Sequence, residues 1–138
     1  MRDDNCIFCK ILAGEIPASK VYEDEQVLAF LDISQVTPGH TLVVPKEHHR
    51  NLLEMDAASA SQLFAKIPVI AQKVMKATQA DGMNILANCE EVAGQTVFHT
   101  HVHLVPRYGA EDDLKIDFVA HEPDFDKLAQ VAETIKNA

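Results

Sequence analysis

The sequence predicts an α+β fold, an antiparallel sheet packed by one long helix and a C-terminal helix. Three features predict it: short apolar runs bounded by turn residues, one long stripe of helical period, and connections too short for repeated crossover helices. From Val27 to Leu31, "VLAFL" is a strand that ends at Asp32; Thr41 to Val44, "TLVV", follows a Pro38-Gly39 turn and stops at Pro45. Between about Asp56 and Ala80, Leu63, Ile67, Ile70 and Val74 recur on one helical face, with Asp56 as N-cap. That face is core or dimer interface. Pro68 should kink or divide this helix, and Gly82 is placed to end it. "MNILANC" and "TVFHTHVHLV" then read as two more strands joined by the turn-like "EEVAGQ", and a last helix starts near Asp124 after Pro123. Strands are expected at 27–32, 41–45, 83–89 and 97–105.

A chain of 138 residues with 47% hydrophobic and 24% charged residues suits one globular domain spanning 1–138, without repeats or low-complexity segments. The start "MRDDNCIF" lacks a signal-peptide pattern and no apolar run approaches the roughly 20 residues of a membrane span, so the expected location is cytoplasmic. A net charge of −9 argues against nucleic-acid and anionic-membrane partners, though it leaves room for a small anionic ligand. Three cysteines, Cys6, Cys9 and Cys89, are too few and odd in number for a disulfide framework. Cys89 reads as a buried or half-buried free thiol.

"FHTHVHL", residues 98–104, places three of the 7 histidines at alternate positions. On a strand His99, His101 and His103 would share one face, spaced about 6.5–7 Å apart, opposite Thr100, Val102 and Leu104. Besides a merely solvated face, two chemistries fit. A His-x-His pair can ligate a metal, which predicts further His or carboxylate partners. Alternatively, a neutral imidazole can present one lone pair to an electrophile such as phosphorus while its other nitrogen donates the hydrogen bond that fixes the tautomer. Its neighbours would then contact phosphate oxygens or protonate the leaving group.

"HTHVHLV" resembles the His-φ-His-φ-His-φ-φ motif (φ apolar) of the histidine triad superfamily, with only Thr100 departing from it. "AGQTVFHTHVHLVPR" and "CIFCKILAGEIPASKVYEDEQVLAFLDISQVTPGHTLVVPKEH" extend the resemblance over roughly residues 5–107; the tail from about 109 has no comparably clear match. The similarity is to the histidine triad nucleotide-binding branch. It implies homodimers of α+β protomers that hydrolyse purine nucleoside phosphoramidates.

Residue by residue, it implies that His101 is the nucleophile, transiently nucleotidylated, with His103 and His40 beside it. Asn88, Gly94, Gln95 and Thr96 would contact the phosphate through side chains and backbone N–H groups. Asp32 would receive the ribose hydroxyls, and Phe8, Phe30 and Ile33 would wall the base. Taken singly, the three apolar residues read more readily as core, Asp32 equally well as a strand-end or turn carboxylate, and Asn88 and Gln95 as side chains that simply satisfy a turn.

Cys6-x-x-Cys9 could be a redox pair, two idle thiols, or half of a closed, structural zinc site. The resemblance to a bacterial subset implies a structural zinc held by Cys6, Cys9, His48 and His99, with no catalytic metal, although His49 competes with His48. The expected function is hydrolysis of a purine nucleoside 5′-monophosphate conjugate through a nucleotidyl-histidine. A dinucleoside polyphosphate hydrolase, a zinc-stabilised nucleotide-binding module with little turnover, and a His-x-His metalloenzyme are the rivals.

Overall fold

The structure is a computed structural model and describes residues 2–138. Five antiparallel strands form one sheet in the order β1-β2-β3-β5-β4: β1 (Lys20–Glu23), β2 (Val27–Leu31), β3 (Thr41–Pro45), β4 (Gly82–Leu86) and β5 (Val102–Arg107). The helices are α1 (Ile7–Leu12), α2 (Ala57–Thr78) and α3 (Phe125–Lys136).

Strands β2 and β3 are apolar at every position but Thr41 because both faces of the sheet are covered. Val27, Ala29, Val43, Val102 and Leu104 point to one face, where they meet Leu63, Ile67, Ile70, Ala71 and Val74 of α2. Leu28, Phe30, Leu42 and Val44 point to the other, against Cys6, Phe8, Cys9 and Ile11. Since Val102 and Leu104 take the α2 face, the alternation of a strand gives His103 to the α1 face.

The expected helix stripe is buried as predicted, and the Asp56 carboxylate accepts from the Ser59 N–H at 2.7 Å as N-cap. Pro68 does not divide α2. It lies on the exposed side, where the carbonyl it leaves without a helical donor can be met by water. Gly82 does not end the helix either: Gln79 adopts the left-handed conformation (φ 57°) and its N–H returns to the Met75 carbonyl, so Gly82 is free to open β4.

Two further differences bear on the site. β4 stops at Leu86, before Asn88 and Cys89, and β5 begins only at Val102, so His99 and His101 precede the paired strand. Local hydrogen bonds explain this: the Thr100 N–H is taken by the His49 carbonyl at 2.8 Å, and the His99 carbonyl accepts from the ring of His101. No local pattern marks α1 or β1; the six residues of α1 carry no helical period long enough to read.

α3 starts at its Asp124 cap as expected, yet none of its residues is buried. Phe125, Leu128, Val131 and Ile135 form an apolar stripe facing outward. Among the described residues no helix is long and apolar enough to cross a membrane.

Candidate functional site

The histidines sit where β3 and β5 meet on the α1 face. Leu42 pairs with His103 in the ladder, and His40 lies just before β3. His40 Nε2 and His103 Nδ1 are 2.9 Å apart. The His101 and His103 rings stand 5.0 Å apart, and Phe8 meets His101 edge-on at 5.2 Å.

Hydrogen bonds fix the tautomers. A carbonyl accepts only, so His101 must donate from Nδ1 to the His99 carbonyl at 2.7 Å, which leaves Nε2 as a bare lone pair. At His40 the Val36 N–H donates to Nδ1 at 3.2 Å, so Nε2 carries the proton and points it at His103 Nδ1. Asp32, 3.7 Å from the same nitrogen, favours that proton as well. His103 must therefore carry its own proton on Nε2. Burial keeps all three rings neutral: it lowers the pKa of His40 and His101 and pushes that of His103 down to about 4.

Beside this cluster is a pocket of about 300 Å³, lined among others by Phe8, Phe30, Leu42, Asp32, Ile33 and Thr96. Phe8 and Phe30 are buried and meet edge-on at 5.5 Å, whereas Ile33 stands 101% exposed at the lip. A fully exposed isoleucine is not core, and an apolar ligand face would cover it. Asp32 is half-buried, with one carboxylate oxygen held by the Ser34 N–H at 2.7 Å.

The turn before the triad is organised around Gln95. Gln95 is buried, and its amide makes four hydrogen bonds: Nε2 donates to the carbonyls of Arg50 and Val97, while Oε1 accepts from the Glu90 N–H and from Asn51. Its own N–H bonds to Glu90 O, and that of Gly94 to Glu91 O. Gln95 thus shapes the turn and has no donor left over, while Thr96 is exposed and Asn88 half-buried at the rim. Gly94, at φ 98°, takes a conformation that side chains resist, and a Cβ there would stand in ordinary contact, 3.4 Å, with the Asn88 amide.

Sequence reasoning missed the partners of this turn. Glu90 accepts a bidentate pair from Arg50 at 2.9 Å and a bond from buried Asn51 at 2.6 Å, which hold its carboxyl down at about 2. These groups lie 39 and 40 positions apart, and no local pattern announces them.

At the other end of the histidine segment, Cys6, Cys9, His48 and His99 lie close enough to hold a metal ion. His99 Nδ1 is 3.4 Å from Cys6 Sγ, 3.6 Å from Cys9 Sγ and 3.2 Å from His48 Nδ1, and His48 Nδ1 is 3.4 Å from Cys9 Sγ. A tetrahedral zinc with ordinary bond lengths requires edges of about 3.3 Å between nitrogens and about 3.6 Å between nitrogen and sulfur. The donor set fits. His99 Nε2 donates to the Pro45 carbonyl at 2.8 Å, so its Nδ1 faces the cluster as a lone pair. Backbone N–H groups of Asp3 and Cys9 point at the two sulfurs. His49 turns away; its Nε2 lies 3.9 Å from Glu47, and its carbonyl anchors Thr100. A second group, Asp32, His40 and His103, also comes close, but there the Val36 N–H occupies His40 Nδ1 and keeps the proton on the nitrogen a metal would need.

The fold and site define a class: an α+β protein that holds one imidazole with an unprotonated nitrogen, next to a hydrogen-bonded pair of histidines, beside a largely apolar pocket. Comparison with known proteins makes the class specific. Residues 13–110 match the HIT domain, and the chain belongs to the HIT domain family. The crystal structure of a Streptococcus mutans UA159 protein is 65% identical, with a TM-score of 0.95 over 98% of this chain and 85% of that one. "Protein hit" of Bacillus subtilis is 52% identical over 88% of this chain and 84% of its own length. The Saccharomyces cerevisiae protein named "Adenosine 5'-monophosphoramidase HNT1" is 37% identical over 94% of this chain and 79% of its own. The family thus includes nucleotide hydrolases.

Proposed function

We propose that the chain is a hydrolase of purine nucleoside 5′-monophosphate conjugates, phosphoramidates foremost, working through a nucleotidyl-histidine. The observation that carries this reading is the 2.7 Å bond from His101 Nδ1 to the His99 carbonyl, which leaves Nε2 as the nucleophile beside the pocket. Family membership and the activity named for the yeast relative support the substrate class.

The base enters between Phe8, Phe30 and Ile33, the ribose hydroxyls donate to Asp32, and Asn88 and Thr96 meet the phosphate. His101 Nε2 attacks the α-phosphorus in line as the bond to the leaving amine breaks, and the amine departs with a proton drawn from solvent. Neutral His103 then serves as a hydrogen-bond donor through Nε2–H to the charge on the phosphoryl oxygens; with its pKa near 4 it holds no imidazolium proton to give at neutral pH. Water attacks the same phosphorus, releases the nucleoside monophosphate and restores His101.

Zinc is the proposed occupant of the Cys6, Cys9, His48 and His99 cluster. With all four positions taken by protein it is structural, and no catalytic metal enters the reading. Through the His99 carbonyl, the ligand cluster also sets the orientation of His101.

A homodimer is proposed as the assembled state. The outward stripe on α3, an exposed apolar row with nothing covering it in the single chain, supports it. A cytoplasmic location completes the reading.

Intact-protein mass spectrometry, after acid-free quenching of a short incubation with an adenosine phosphoramidate, tests the chemistry. An adenylate on the wild type that maps to His101 and is absent from His101→Ala is expected. Purine nucleotide binding without label or turnover, including with slowly released analogues, would instead favour a binding module.

A further inference from the structure

The turn between β2 and β3 connects Asp32 to His40, and its centre is filled by a residue the mechanism above does not use. Gln35 adopts a left-handed backbone conformation (φ 40°), which turns its side chain back into the loop. Its Nε2 donates to the carbonyls of Asp32 and His40, both at 2.7 Å, and its Oε1 accepts from the Gly39 N–H at 2.9 Å. The amide has only one workable orientation, because a flip would set its oxygen against two carbonyls.

We infer that Gln35 is a positioning residue that fixes the tautomer of His40 and, through it, the proton on His103. Gln35 clamps both ends of the loop and the N–H that precedes His40. The residue next to it, Val36, thereby presents its N–H to His40 Nδ1 at 3.2 Å. That contact excludes a proton from Nδ1 and confines it to Nε2, which donates to His103 Nδ1 at 2.9 Å. His103 is then left with one arrangement, Nε2–H toward the site. The chain Val36 N–H, His40, His103 is a directional relay of donors, and reversing it at His40 would present His103 as a lone pair to an anionic phosphate.

Other contacts hold the loop from outside. The Thr37 hydroxyl donates to the Pro106 carbonyl and the Tyr108 hydroxyl to the Pro38 carbonyl, both at 2.6 Å. The loop therefore stays in place without Gln35, but the Val36 N–H loses its fixed aim. Asp32 is held separately by the Ser34 N–H, so the ribose contact should survive.

The inference about His103 as donor rests on the proposed nucleotidyl transfer, whereas the tautomer does not, and the experiment separates them. Long-range ¹H–¹⁵N correlation spectra of the imidazoles at pH 8 would be recorded for wild type, Gln35→Met and Gln35→Glu, alongside steady-state hydrolysis of adenosine phosphoramidate. Both variants keep the side-chain length and lose the paired N–H donors. The wild type should show His40 as a single Nε2–H tautomer. Both variants should show averaged nitrogen shifts, with kcat lowered on the order of 10- to 100-fold and KM within about twofold.

Backbone amide dispersion equal to wild type verifies that the variants are folded. A pure Nε2–H tautomer at His40 in both folded variants would overturn the inference even if turnover fell. Averaged shifts in a protein that hydrolyses no phosphoramidate at all would instead uphold the tautomer lock and defeat the proposed function.

Discussion

Lowering the pH from 7.5 to 5 should leave the histidine site chemically intact while weakening the fold around it. In the folded chain burial, reinforced by the neighbouring rings of His101 and His40, pushes His103 down to about 4. Its unfolded value is about 6.5. Above 6.5 both states carry the neutral ring and the shift makes no difference to stability. As the pH falls through 6.5 the unfolded chain takes up a proton that the folded chain refuses, so stability is lost between about 6.5 and 4. At pH 5 only about a tenth of folded His103 is protonated, against nearly all of an ordinary imidazole, and the unfolded state has gained about 2 kcal/mol. His40 and His101, lowered for the same reason, add to the loss.

Two assays read this. A proton NMR titration of the histidine Cε1–H signals, assigned with His103→Asn, should give a midpoint near 4 for His103. Urea unfolding should show a midpoint about 1 M or more lower at pH 5 than at pH 7.5. A titration midpoint near 6.5 together with an unmoved urea midpoint would refute the argument that the site is dry and neutral.

The purified protein should carry about one zinc per chain by elemental analysis, and a chelator or Cys9→Ser should lower the melting temperature by several degrees before activity falls; reversible loss of turnover with the fold intact would assign the metal to the chemistry instead. Gln95→Ala strands the Arg50 and Val97 carbonyls, the Glu90 N–H and the Asn51 amide, so it should destabilise by about 2–4 kcal/mol and raise KM for nucleotide severalfold, as chemical denaturation and initial rates would register. The double variant Leu128→Asp, Ile135→Asp, placing charge in the exposed α3 stripe, should sediment as a monomer where the wild type sediments as a dimer.

Much of this protein is legible in one dimension because the forces concerned are local or periodic. The stripe Leu63, Ile67, Ile70, Val74 shows which face of α2 is buried, and the runs 27–31 and 41–45 show strands covered on both sides. The alternation of His99, His101 and His103, with Cys6-x-x-Cys9, announces a histidine site and a group of residues close enough to hold a metal ion.

What stayed hidden depends on which distant groups meet. His48 and His49 are equivalent on paper, and only the packing of α1 against the sheet turns one toward Cys9 and leaves the other at Glu47. Gln95 resembles a phosphate ligand until Arg50, Asn51 and Glu90 fold around it and use every polar atom of its amide. The strand predicted through His99 starts three residues later, because Thr100 finds the His49 carbonyl in place of a ladder partner. Side-chain type and period determined the elements and the chemistry on offer. The tertiary structure decided which lone pairs and protons remain free to act, since a hydrogen bond depends on the distance between two groups that the chain may separate by any number of residues.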